Sequence, residues 1–319
     1  MPLAPPRSVR TLGVDGGATH ARVVAVERGE AVWRAGAELA RLAWPSRAAA
    51  EFRGTLERHG ERCVDELASA LAEHARGEPL ALALCMPGKK TDDERGIVAA
   101  NRGPVAPDFL ERLLGALAER DVRVERAPTR LFSDGRAAAA GELRALGGAL
   151  VGARQAYYLG AGTGLGECLV LGGELVPLDW AAAWFPKAFA LRAASGETFE
   201  EELSAAALAR RAGLGGFVET RRAAGDPAAL EVSRRFVHAL AEFLALRVES
   251  LAHSPLGALV FERVVLGQRF ADLVDAERLF ALRLALRERL GERTPALVVS
   301  HLAGSAAVGA HVLEESLRS

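Results

Sequence analysis

The run Gly160-Ala161-Gly162-Thr163-Gly164-Leu165-Gly166 stands between two short apolar segments, 155–159 before it and 167–171 after it, and a Gly172-Gly173 turn follows. Both flanks are bounded by glycines, and both read as strands. A glycine loop that cradles phosphate ordinarily joins a strand to a helix, whose N-terminus helps to hold the anion. Here the loop is the tip of a β-hairpin. Two common nucleotide sites are therefore disfavoured. After Gly160 and Gly162 the third glycine of the dinucleotide fingerprint falls on Leu165, and no Gly-Lys-Ser/Thr of a Walker loop occurs anywhere.

Working outward, a second glycine turn of the same kind lies near the start. Residues 11–14 read as a strand, Asp15-Gly16-Gly17-Ala18-Thr19-His20 as a tight polar turn, and the valine-rich 21–27 as the returning strand, with a third run around Val32 and Trp33. Helical spacing of Leu56, Cys63, Val64, Leu67 and Leu71 predicts a helix within 46–75. Residues 80–85 form a continuous apolar strand ending at Met86-Pro87-Gly88; a helix over 108–118 and a short strand at 122–124 follow. Leu131-Phe132-Ser133 then leads into Asp134-Gly135-Arg136 and a run of alanines, which places an aspartate at the mouth of a helix. Beyond the second hairpin the pattern predicts helices over 199–253 and 270–290, strands over 259–266 and 296–300, and a closing helix over 304–317.

Two halves thus share one plan: a hairpin whose glycine turn carries threonine, then alternating strands and helices. The expectation is two related α/β domains facing each other across a central cleft, with ligands at the carboxyl ends of strands. The first domain is expected over 1–133, completed by the helix 304–319, and the second over 134–303.

Composition limits the function. A chain of 319 residues, 50% hydrophobic, can bury a substantial core in each of two domains. A formal net charge of -1 lacks the electrostatic footprint of a nucleic-acid binder. No apolar run approaches membrane-spanning length, and MPLAPPRSVR lacks the apolar core of a signal peptide. Cys63, Cys85 and Cys168 have neither metal-ligand spacing nor a disulfide framework, and the 7 histidines are dispersed. These features predict a soluble cytoplasmic protein with no nucleic-acid and no membrane partner.

Glycines at the two turns let backbone N–H groups approach phosphate oxygens, and threonine adds a hydroxyl. Asp15, Gly16, Gly17 and Thr19 of the first turn, and Gly162, Thr163 and Gly164 of the second, are therefore candidate contacts to one polyphosphate. Asp15 is placed to hold Mg2+ directly or through water. Asp134 at a helix mouth reads as an N-cap, and there the helix dipole keeps a carboxylate ionised.

DGGATH, the Asp134 segment SDGRAAAAGE and the GTGLG hairpin occur in the order seen in sugar kinases of the actin/hexokinase superfamily. Over most of its length the chain resembles the ROK (repressor, open reading frame, kinase) group. CMPG followed by Asn101 resembles that group's strand, Pro-Gly turn and sugar-binding asparagine. VVLG, ending at Gly267, resembles its adenosine-contacting turn, FEEELS its Leu-Glu-x-x-x-Ser segment, and HLAGSAAVGAHVL its terminal helix. The order DGGAT equally resembles the N-acetylglucosamine kinase and BadF-type branch.

The resemblance implies two RNase H-like, actin/hexokinase-type α/β domains and an ATP-dependent, magnesium-dependent carbohydrate kinase. It implies Asp134 as general base on a hydroxyl of a hexose or amino sugar, Asn101 and Glu200 as further sugar contacts, and Gly267 beside the adenosine. Many such enzymes are homodimers, and the apolar helices of the second domain are compatible with that.

There are departures. PLDWAAAWFPKAFALRAASGE stands where the group has Gly-Glu-x-Gly-His, its cysteine-rich zinc site is missing, and Gln268-Arg269 replaces a more glycine-rich turn. Trp180, Trp184 and Phe185 either wall a different acceptor or lie in the core or an interface. Two other functions stay open at this point: a catalytically degenerate ligand-binding protein, and a sugar-sensing regulator. The second is disfavoured, because a first strand near Thr11 leaves no room before it for a winged helix-turn-helix.

Overall fold

A computed structural model of the chain describes residues 8–30, 32–44, 56–100, 103–162, 164–204, 207, 208, 211, 222 and 225–319. They form two compact units, one running to Gly148 and resuming over Ala303–Ser319, the other spanning Ala149–Leu302.

In the first unit, β1 (Arg10–Gly16), β2 (His20–Arg28) and β3 (Trp33–Ala43) make an antiparallel meander. β4 (Leu80–Cys85) joins β1 in parallel, and all six of its residues are buried, as expected of a strand covered on both faces. β5 (Lys89–Lys90) and β6 (Ile97–Ala99) form a small separate hairpin, while β7 (Val124–Arg126) and β8 (Leu131–Phe132) both pair with β4. The sheet order is β3-β2-β1-β4-β7.

Leu12 and Val14 of β1 share a core with α1 (Leu56–Ala75) and α2 (Phe109–Ala118), into which α1 buries Cys63, Leu67 and Leu71 one turn apart. Gly13 points the other way, against Ala307 of the last helix, Ser305–Arg318. That helix lies on α3 (Asp134–Arg144), and their backbones touch. A Cβ at Gly309 would fall 1.7 Å from the Ala137 carbonyl oxygen, and one at Gly141 would fall 2.0 Å from that of Ser305. The alanine run of α3 has its partner here, so the division between the units falls after α3, not before Asp134.

The second unit repeats the sheet. β9 (Gln155–Ala161), β10 (Leu165–Leu171) and β11 (Glu174–Val176) form the meander, and β12 (Arg263–Gln268) and β13 (Ala296–Val299) add in parallel to give β11-β10-β9-β12-β13. Its core joins Tyr157, Leu159 and Leu169 to Phe236, Leu240, Phe243 and Leu251 of the helix Pro227–Ala252. Asp226 caps that helix by accepting from the amides of Ala228 and Ala229, with Pro227 at the first helical position.

Three sequence expectations change. The helical stretch over 199–253 consists of Phe199–Leu203 and Pro227–Ala252, with most of the residues between lying outside those described. The 270–290 stretch is two helices, Phe270–Leu273 and Ala276–Leu290, because the Asp275 side chain caps the second by accepting from Arg278 N. β12 starts at Arg263, four positions after the expected start, and runs to Gln268.

The segment after β11 is anchored from below. Arg247 is fully buried and pairs with Glu167 of β10, donates to the Pro186 carbonyl, and lies 4.6 Å from the ring centroids of both Phe185 and Phe243. Glu167 also accepts from the Tyr157 hydroxyl and from the Ala188 amide at 2.6 Å. Phe185 is therefore a core residue with no exposed surface, Trp184 packs beside it, and Trp180 is 59% exposed. Of the described helices none is long and apolar enough to cross a membrane.

Candidate active site

Parallel pairing sets Asp15 opposite Cys85 and Cys85 opposite Phe132, so β1, β4 and β8 end at one edge of the first sheet. The Met86 amide donates to the Phe132 carbonyl at 2.9 Å, and two residues later α3 begins. Its N-cap is Ser133, so Asp134 is the first helical residue and not the cap. The Asp134 Oδ1 accepts from the Gly135 amide at 2.9 Å.

Asp15 is nearly buried and ion-paired with Arg22, which stands directly opposite it on β2. The Cys85 thiol lies 3.8 Å from Asp15 Oδ1, and burial pushes its pKa well up, so it stays protonated. The turn between Asp15 and His20 is tight. Gly17 N donates to the His20 carbonyl at 2.8 Å, and a Cβ on Gly16 would fall 2.2 Å from Met86 Sδ. Trp44 holds the turn from outside, its indole N–H donating to the Gly17 carbonyl and its amide to that of Thr19, both at 2.8 Å. The Thr19 hydroxyl sits 3.1 Å from His20 Nδ1.

Asp134 titrates above the ordinary aspartate value. Burial is the main cause, opposed by the Gly135 N–H; the charge of Asp15 adds to the rise and that of Lys90 opposes it. The helix N-terminus therefore does not prevail here; desolvation does. A carboxylate with a raised pKa is the better proton acceptor near neutral pH.

Among the described residues no group of three or more His, Cys, Asp or Glu is arranged to hold a metal ion. Mg2+ does not require one. It keeps several waters and binds through one or two carboxylates together with substrate phosphates, a donor set that Asp15 fits.

In the second unit the β9–β10 turn is closed by Gly162 N donating to the Gly164 carbonyl at 2.8 Å, so the Gly162 amide is used within the turn. Thr163 lies outside the described residues, as does Asn101. Glu200, on the capped helix Phe199–Leu203, reaches the same turn: its Oε2 accepts from Leu165 N at 3.3 Å, and a Cβ on Gly164 would fall 3.0 Å from its carboxyl carbon. The turn thus already receives one anionic oxygen. Gly267 is an interior residue of β12, paired with Gly160, and the Tyr158 hydroxyl fills the space of its missing Cβ. The next residue, Gln268, takes the left-handed backbone at φ 53 and lays its side chain over Gly160.

Arg22, Trp44, Lys90 and Gln268 were not singled out by the sequence. Arg22 was within reach, because a strand-turn-strand reading of 11–27 puts it opposite Asp15. The scarcity of lysine, present only at positions 89, 90 and 187, marks Lys90. Nothing local signals Trp44.

The repeated meander-plus-parallel sheet defines a class, the two-domain α/β fold of the actin/hexokinase type. Within it, the chain resembles a ROK family glucokinase from Streptomyces griseus solved with glucose and AMPPNP, at 22% identity and a TM-score of 0.70 over 96% of this chain and 99% of that one. It resembles a ROK hexokinase from Thermus thermophilus at 21% identity and a TM-score of 0.66, over 98% of this chain and 100% of that one. A ROK family transcriptional regulator, homologous to the E. coli MLC protein, shares the fold at 14% identity and a TM-score of 0.61, over 97% of this chain and 78% of that one. No protein-family model matches the sequence, and no curated protein does. At these identities the likeness is one of fold.

Proposed function

We propose that this protein is an ATP-dependent kinase that transfers the γ-phosphoryl group to a hydroxyl of a hexose or amino sugar. One observation carries the reading: Asp15 and Asp134 stand at the same edge of the first sheet, where β1 and β8 end. The acceptor hydroxyl gives its proton to the Asp134 carboxylate as its oxygen bonds to the γ-phosphorus. The bond to the bridging oxygen breaks, and ADP leaves with that electron pair. Mg2+, held at Asp15, supplies charge neutralisation on the phosphates when bound. Gly16, Gly17 and Thr19 contact phosphate in this reading, and so do Gly162, Thr163 and Gly164, whose turn accommodates the Glu200 carboxylate. Asn101 and Glu200 orient the sugar, and Gly267 lies beside the adenosine.

Turnover of at least one sugar in a panel with Mg-ATP is the expected result, measured by ADP release. Asp134→Asn lowers kcat by about 10²–10⁴ with an unchanged thermal melt. Equal turnover by that variant removes Asp134 from the chemistry.

A second reading, a ligand-binding or sugar-sensing protein without catalysis, is favoured by the sequence 177–197 in place of Gly-Glu-x-Gly-His. The regulator of the same fold is consistent with it. Calorimetry decides: absence of Mg-ATP binding together with absence of turnover selects the second reading.

A further inference from the structure

Glu200 stands on a helix of only five residues, Phe199–Leu203. So short a helix does not hold itself in water, and its pose is set by what it is tied to. Its start is tied locally by a capping box. The Thr198 hydroxyl accepts from Glu201 N at 3.2 Å, and the Glu201 carboxylate accepts from Thr198 N at 2.9 Å. Its rotation is tied by Glu202. Two residues on from Glu200, that side chain lies roughly 200° around the helix axis, and it is buried. A buried carboxylate needs partners. The Ser195 hydroxyl donates to it at 2.5 Å, Arg211 is ion-paired with it, and Arg235 lies 3.8 Å away. Arg211 also pairs with Glu197 and donates to the Glu202 backbone carbonyl at 3.4 Å. One guanidinium thus joins a residue before the helix to a residue within it. The segment between is closed onto the same helix, with Ala193 N donating to the Glu197 carbonyl at 2.9 Å and Phe199 N to that of Leu191 at 3.1 Å. Glu200, on the other side of the helix, meets the β9–β10 turn at Leu165 N.

We propose that Arg211 is a positioning residue for the acceptor site: by bridging Glu197 and Glu202 it fixes the rotation of the helix Phe199–Leu203, and so aims Glu200 at the sugar. The proposal rests on the kinase reading above. Without the guanidinium, the Glu202 carboxylate is left buried with the Ser195 hydroxyl and the more distant Arg235. Such a charge is costly to keep from water, and turning the helix is its way out. That turn carries Glu200 off its aim. Arg211 acts on the sugar only through Glu200.

The test is a double-mutant cycle in steady-state kinetics, on the best sugar of the panel at saturating Mg-ATP. It compares the wild type with Arg211→Met, Glu200→Gln and the two together. Arg211→Met should raise KM for the sugar about tenfold, with a smaller change in kcat. In the Glu200→Gln background, whose own KM is raised, the same substitution should add less than about twofold, because the residue it acts through is already lost. Thermal melts monitor folding. Where Met fails to fold, Arg211→Lys takes its place, since it keeps the charge but not the fork that spans two carboxylates. A wild-type sugar KM in the Arg211 variant overturns the proposal and leaves the kinase reading intact. So does a fall in kcat at unchanged KM, which marks loss of folded protein, and so do effects that multiply in the double variant. A Glu200→Gln enzyme with wild-type KM also overturns it. A wild type inert on every sugar removes the kinase reading, and the proposal with it.

Discussion

A carboxylate on the meander of each unit pairs with an arginine, Asp15 with Arg22 and Glu167 with Arg247, and position in the sheet separates what the two pairs do. Asp15 is the penultimate residue of β1, and its partner Arg22 keeps 30% of its side chain exposed. Glu167 lies in the middle of the β9–β10 ladder opposite Leu159, and Arg247 has no exposed surface at all. A pair at a strand end can exchange partners with a ligand. A pair inside the core cannot, and it serves instead to fasten Pro186 and Ala188 to the sheet.

The largest effect that sharpens this contrast is on stability. Arg247→Leu strands Glu167 uncompensated in the core and should cost about 3–5 kcal/mol, read as a fall in the denaturant midpoint. Arg22→Leu should cost less, since Arg22 is partly hydrated and Asp15 stands at a strand end where water can reach it. Equal losses in the two variants would erase the distinction.

A second effect concerns the first unit alone. His311 is buried against β1, with Nε2 donating to the Leu12 carbonyl at 2.9 Å, and burial lowers its pKa from 6.5 to about 4. The folded state thus disfavours the proton that the unfolded chain accepts. The associated stability is fully present above pH 6.5 and is lost as pH falls toward 4, to a total of about 3 kcal/mol. In His311→Gln that part of the acid limb should flatten in urea melts between pH 7 and pH 4; an unchanged limb assigns it elsewhere.

The smallest effect belongs to the second turn. In Gly164→Ala the new methyl meets the Glu200 carboxylate at 3.0–3.1 Å, so the carboxylate must give way and its contact with the turn is disturbed. KM for ATP should rise about tenfold, close to 1.4 kcal/mol, with little change in melting temperature.

What the sequence made legible follows the range of the interaction. The glycine turns, the all-apolar β4 and the aspartate opening α3 are written in neighbouring residues, and each is found where it was expected. The pairing of Asp15 with Arg22 needs strand register, and the placing of Asp134 at the same edge as Asp15 needs β8 beside β4, a contact between segments nearly fifty residues apart. The segment after β11 was the hardest. Its aromatic residues read alike in one dimension, yet Phe185 is core and Trp180 is surface, because only the first lies over Arg247. The helix dipole at Asp134 favours the ionised carboxylate, and the weight of desolvation there reverses that direction.

The last helix packs on β1 and α3, with His311 bonded to a residue 299 positions earlier. The first unit is therefore interrupted in the chain by the whole of the second. On a ribosome, Leu12, Gly13 and the alanines of α3 emerge early and wait for Ala307 and Gly309 until nearly every other residue has been made. The second unit, continuous in sequence, can finish folding while the first is still incomplete. Birth order and assembly order are reversed: the half of the protein that is synthesised first is the half that closes last.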